Sequence, residues 1–179
     1  MPDEPEVQGL LALMLLTDAR REARVSEDGT LVVLSDQDRS KWNSALIEEG
    51  HDLVRKCLRR KQPGPYQLQA AISAVHTDPP TDWRQVVALY DQLMTLAPSR
   101  VAALNRAVAV AELDGAAAGL TLIDQLALDD YHLTHAIRAD LLRRLARDAE
   151  ALAAYDRAIA ATRNAVERDY LTRRRAELA

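Results

Sequence analysis

Phenylalanine is absent from this chain of 179 residues, and aromatic residues make up 4% of it. Six glycines and seven prolines are too few for an all-β protein full of turns. A single cysteine, Cys57, excludes an internal disulfide and suits a reducing compartment. There is no excess of basic charge. The net charge of −4 argues against a domain that wraps nucleic acid. No apolar run is long enough to span a bilayer, the longest stretching from Leu10 to Leu16. The acidic start, MPDEPE, lacks the basic region of a secretory signal. A cytoplasmic protein without membrane contact is expected.

What is present is Leu, Ala and Arg in quantity, with a hydrophobic fraction of 48%. That is the composition of a folded, helical domain. A first helix is expected over about 3–22. At about 100° per residue, Val7, Leu10, Leu11, Met14, Asp18, Arg21 and Val25 fall on one stripe. Asp18 and Arg21 therefore continue an apolar seam, as a buried ion pair, a docking site or a catalytic pair. Asp28-Gly29 then separates two β-prone runs, predicting one small hairpin of 23–25 against 31–33. A helix capped by Ser35 or Asp36 should follow, with Trp42, Leu46, Leu53, Val54 and Cys57 on its buried face. Gly50 inside it marks close packing or a bend. Gln62-Pro63-Gly64-Pro65 ends it.

From there the pattern is helix, turn, helix throughout. Val86, Tyr90, Leu93 and Pro98 match the spacing of a tetratricopeptide helix. So do Gly119, Ile123 and Leu126, and so do Ala151, Tyr155 and Ala158. These sets begin 33 and 32 residues apart. Asn164 and Glu167 are spaced as a capping box for a last helix. The expected fold is all-α: an antiparallel helical-hairpin stack, tetratricopeptide-like, with one small β-hairpin near the N-terminus. Residues 1–62 should pack on repeats over 63–179 and form one compact unit with them.

Catalytic signatures are missing: no G-x-S-x-G, no P-loop, no G-x-G-x-x-G and no Cys pair. His132 and His135 stand three apart, but two ligands do not make a zinc site. No catalytic residue, cofactor or metal is expected. The basic clusters at 55–61 and 173–175 read as solvated helix faces. The polar cluster around the hairpin remains: Asp18, Arg20, Arg21 and Arg24 before it, and Asp36, Gln37, Asp38, Arg39 and Trp42 after it. Folding the chain back at the hairpin brings both groups together. They then either lock the hairpin on the first helix through a buried ion pair or form a docking surface.

PEVQGLLALMLLTDARREARV, LVVLSDQDRSKWNSALIEEG, GPYQLQAAISAVH, TDWRQVVALYDQLMTLAPS and ALNRAVAVAELDG occur in this order. Together they resemble the C-terminal extension of a group of bacterial extracytoplasmic-function sigma factors. The DARR-x-AR and DQDRS-x-W segments are the most specific parts. In that group two core regions, which contact polymerase and read the promoter, precede a helical domain with tetratricopeptide-like repeats. Neither core region is expected within these residues, so direct DNA binding is not carried over. The resemblance implies a regulatory domain that modulates transcription initiation. Its partners would be the missing sigma core regions or RNA polymerase, met through the DARR-x-AR and DQDRS segments. A free-standing peptide-binding scaffold and a small-molecule sensor or enzyme are the alternatives.

Overall fold

A computed structural model describes residues 4–27 and 29–178. Among the described residues it is all-α: α1 (Pro5–Asp18), α2 (Ser44–Arg59), α3 (Pro65–Thr77), α4 (Trp83–Leu96), α5 (Arg100–Asp114), α6 (Ala116–Gln125), α7 (His132–Arg144), α8 (Asp148–Ala161) and α9 (Ala165–Ala176). Three short 3-10 turns, Arg21–Ala23, Leu34–Asp36 and Arg39–Lys41, link α1 to α2. The chain divides into two compact units, one of residues 1–26 and 32–102, the other of 27–31 and 103–179.

The expected β-hairpin is not formed. Val25 and Leu31 are single bridge positions, and the Val32 N–H donates to the Arg24 carbonyl at 2.9 Å. Arms of three residues are too short to hold a ladder. The 3-10 turns at Arg21–Ala23 and Leu34–Asp36 also consume the residues on either side. Asp28, half of the expected turn, lies outside the described residues.

In the first unit, α1 packs on both α2 and α3, and α3 packs on α4. The buried seam of α1 is Gly9, Ala12 and Leu16, continued by Ala19. The stripe of larger residues, whose apolar spacing reads as a packing seam, is the outward one: Val7 is 51% exposed, Leu10 38%, Leu11 45% and Met14 60%. Small residues won the inner face because α1 approaches its neighbours closely. A Cβ added at Gly50 of α2 would lie 2.6 Å from Leu16 Cγ, so Gly50 marks close packing.

Helix starts are secured by side chains. Asn43, not Ser35 or Asp36, caps α2, its Oδ1 accepting from the Leu46 N–H at 3.1 Å. Glu6 reaches from α1 to the start of α3, where its carboxylate accepts from the N–H groups of Tyr66 at 3.0 Å and Gln67 at 3.3 Å. An anion at that position satisfies orphan donors and complements the helix dipole.

In the second unit, α7 packs on α6 and α8, and α8 packs on α9. Its core joins Leu104, Ala107 and Ala111 of α5 to Leu120, Ile123, Leu142, Tyr155 and Leu171. A Cβ on Gly119 would meet Ala111 Cβ at 2.5 Å and Ala107 O at 2.8 Å, so α5 and α6 touch at backbone distance. Asn164 caps α9 as expected, accepting from Val166 and Glu167 N–H groups. The Glu167 carboxylate turns elsewhere, accepting from the Thr162 hydroxyl at 3.0 Å and pairing with His132 Nε2 at 3.0 Å.

Candidate interaction site on the first unit

The segment between α1 and α2 builds a local platform. The Ala19 carbonyl accepts from the Asn43 N–H at 2.9 Å, which draws the start of α2 to the end of α1. Asp38 accepts from the N–H and hydroxyl of Ser40 at 2.9 and 2.7 Å, setting the 3-10 turn that follows it. That turn closes with the Trp42 N–H donating to Arg39 O at 3.1 Å. Trp42 is thereby folded inward and is 8% exposed.

Two guanidiniums stand over its ring. Arg39 Cζ lies 4.6 Å from the ring centroid and Arg20 Cζ 5.9 Å. Cations favour an indole face because of its quadrupole. Arg24 adds a third charge close by, its Nη2 donating to Thr17 O at 3.1 Å. Burial, then the charges of Arg24 and Arg39, hold the Arg20 pKa below its ordinary value. Arg39 also donates to Thr77 O at 3.4 Å, joining the cluster to the end of α3. Burial, with Arg20 and Arg39 nearby, pushes the neighbouring His76 down from 6.5 to about 4. The His76 ring packs edge-on to Trp83 at 5.3 Å. His51 Nε2 is 2.7 Å from Thr77 Oγ1, which itself donates to Ala74 O. That hydroxyl is therefore the acceptor, and His51 carries its proton on Nε2.

The acids expected in this cluster are used elsewhere. Asp18 pairs with Arg21, but the side chains are 44% and 79% exposed, so the pair is not buried. Asp36 accepts from the Ser35 hydroxyl at 2.7 Å, and Asp38 serves its own turn. Gln37 donates to Val32 O at 3.2 Å. The structure thus brings together Arg20, Arg24, Arg39 and Trp42, and leaves Asp18, Arg21, Asp36 and Asp38 facing solvent or serving the local backbone. Sequence reading missed His76, Trp83 and Thr77. They sit 34 or more residues beyond Trp42, and only the packing of α3 brings His76 and Thr77 to the cluster.

Other candidates resolve locally. His135 Nε2 lies 2.7 Å from Asp129 O, while His132 pairs with Glu167. Among the described residues, no group of three or more His, Cys, Asp or Glu side chains is placed to hold a metal ion. Cys57 is buried, its thiol faces Pro5 O at 3.6 Å, and burial pushes its pKa up. Arg173, Arg174 and Arg175 are engaged by Thr30, Glu177 and Asp156. No helix, among the described residues, is long and apolar enough to cross a membrane.

Residues 1–58, which hold both α1 and the cationic platform, match the model of a family of unknown function, DUF6596. An uncharacterized protein of Rhizobium meliloti is 44% identical over 176 residues, covering 95% of this chain. The chain spans 42% of that relative's length. No solved structure matches. The chain is similar to a longer bacterial protein, and its N-terminal third matches the DUF6596 model.

Proposed function

We propose that this chain is the regulatory C-terminal domain of a bacterial sigma factor. It acts in the cytoplasm by contacts with the sigma core regions or RNA polymerase, without catalysis. Domains of the matched family are often found as the C-terminal part of sigma factors. The observation that carries the reading is the outward face of α1. Val7, Leu10, Leu11 and Met14 stand in solvent on one stripe, and Asp18 and Arg21 extend it. Contiguous exposed apolar residues rimmed by charge mark contact surfaces. The remaining helices are read as a tetratricopeptide-like hairpin stack. Supporting this, Gly119 meets α5 at backbone distance, and Ala151, Tyr155 and Ala158 are all buried.

The test is reconstituted transcription with the longer protein, in which the outward stripe is charged by Met14→Glu. Transcription should fall while the thermal melt stays within a few degrees. Unchanged transcription would overturn the reading.

A second reading, a small-molecule sensor, is favoured by one observation. A hollow of about 470 Å³ between α6, α7 and α8 is lined by Asp124, Thr134, His135, Arg138 and Arg157. The buried Thr134 hydroxyl has no protein partner there. Ligand-dependent stabilisation of the second unit would support it.

A further inference from the structure

We propose that the Arg20–Arg24–Arg39 cluster on Trp42 receives a carboxylate from an acidic peptide segment of a protein partner. This rests on the reading of the domain as a protein-contact module, and adds the chemistry that is recognised.

Three features converge on one ligand class. The first is uncompensated charge. Each guanidinium offers five N–H donors, yet Arg24 and Arg39 each spend one, on the carbonyls of Thr17 and Thr77. Among the described residues none of the three pairs with a carboxylate. Asp18, Asp36 and Asp38 are held by Arg21, Ser35 and Ser40, and Glu22, the acid nearest in sequence to Arg20 and Arg24, is exposed. The second is a set of unused polar atoms: Arg20 Nε, Trp42 Nε1 and His76 Nδ1 are buried with no protein partner. Two of these are pure donors. The third is shape. Arg39 is exposed while Trp42 beneath it is buried, so the charge is offered at the surface. A projecting Asp or Glu side chain fits such a platform. Guanidinium forks match carboxylate geometry in pairs, and the indole holds Arg39 in orientation beforehand. The net charge of −4 disfavours a nucleic-acid backbone as the occupant.

The experiment uses the whole chain. Trp42 and Trp83 are the two tryptophans, and their fluorescence reports the site. An amide-capped peptide of alternating Glu and Asp is titrated in, against the matched Gln/Asn peptide and against inorganic phosphate. The acidic peptide should give saturable binding, at least about tenfold tighter than either comparator. Arg39→Gln should weaken it by about tenfold or more, and Arg39→Lys by less, with unchanged circular dichroism. Equal binding of acidic and amide peptides would overturn the inference. Phosphate binding as tightly as the acidic peptide would also overturn it, since the site would then take any oxyanion. Should Arg20→Gln unfold the chain, Arg39→Gln still decides, because Arg39 lies outside the core. If peptide binding holds while the transcription assay shows no dependence on this domain, only the sigma-factor reading falls. If transcription depends on the domain while Arg39→Gln binds the peptide normally, only this inference falls.

Discussion

Gly50→Ala is expected to destabilise the first unit, although alanine is the better helix residue. The added Cβ would sit 2.6 Å from Leu16 Cγ and 2.9 Å from Leu16 Cδ2. Carbon atoms prefer about 3.5–4.0 Å, so Leu16 must retreat by about 1 Å. It has no exposed surface and no solvent to move into. Overpacking of this kind costs about 1–3 kcal/mol. The helix-propensity gain from Gly to Ala returns about 1 kcal/mol. The net expectation is a loss of about 1 kcal/mol. In a Leu16→Ala background, which itself costs about 2–5 kcal/mol, the obstruction is gone. Gly50→Ala should there become neutral, or stabilising by up to about 1 kcal/mol. The two substitutions should therefore couple by about 1–2 kcal/mol. Urea unfolding followed by tryptophan fluorescence reads this directly, since both tryptophans belong to the first unit. If Gly50→Ala stabilises the unaltered chain, or if the cycle shows additivity, the close approach of α1 and α2 is wrong.

Other expectations follow from the same contacts. Asp18→Ala should change stability by less than about 1 kcal/mol, because its partner Arg21 is largely in solvent; a loss of 3 kcal/mol or more, in the range of about 3–5 for a broken buried pair, would contradict the exposed geometry. Glu6→Ala should cost about 1–2 kcal/mol in urea unfolding, since it strips the α3 N–H groups of Tyr66 and Gln67 of their acceptor. His76 titrates at about 4 in the fold against an ordinary 6.5, so between those values only the unfolded chain holds the proton. Its contribution to stability is therefore complete above pH 6.5 and is lost as the pH falls toward 4, by at most about 3 kcal/mol. Urea midpoints across that window should slope downward with acid, and His76→Gln should flatten the slope.

The helices were legible because their signals are local. Gly64-Pro65 starts α3, Asn164 caps α9, and the small-residue spacing of Gly119 and Ala151 falls on buried faces. The side of α1 that faces inward was not legible. A wheel ranks residues by hydrophobicity, and here Leu10, Leu11 and Met14 outrank Gly9 and Ala12. The small residues were chosen by close approach, a property of the partner helix rather than of α1 itself. The hairpin was misread for a related reason. Asp28-Gly29 is a sound turn signal, but flanking 3-10 turns competed for the same few residues. At the site, the sequence grouped acids and bases alike, while the structure sorts them. Asp38 and Asp36 satisfy neighbouring serines, and the arginines gather on Trp42. Which charges remain uncompensated depends on turn geometry that spacing alone does not carry.

The outward face of α1 and the Arg–Trp42 platform are together proposed to meet a protein. Hydrogen–deuterium exchange of the longer protein, alone and bound to RNA polymerase, tests this most directly. Peptides spanning Pro5–Asp18 and 20–42 should become protected on assembly, while those of α8 stay unchanged. Assembly with no added protection in either segment would contradict the account.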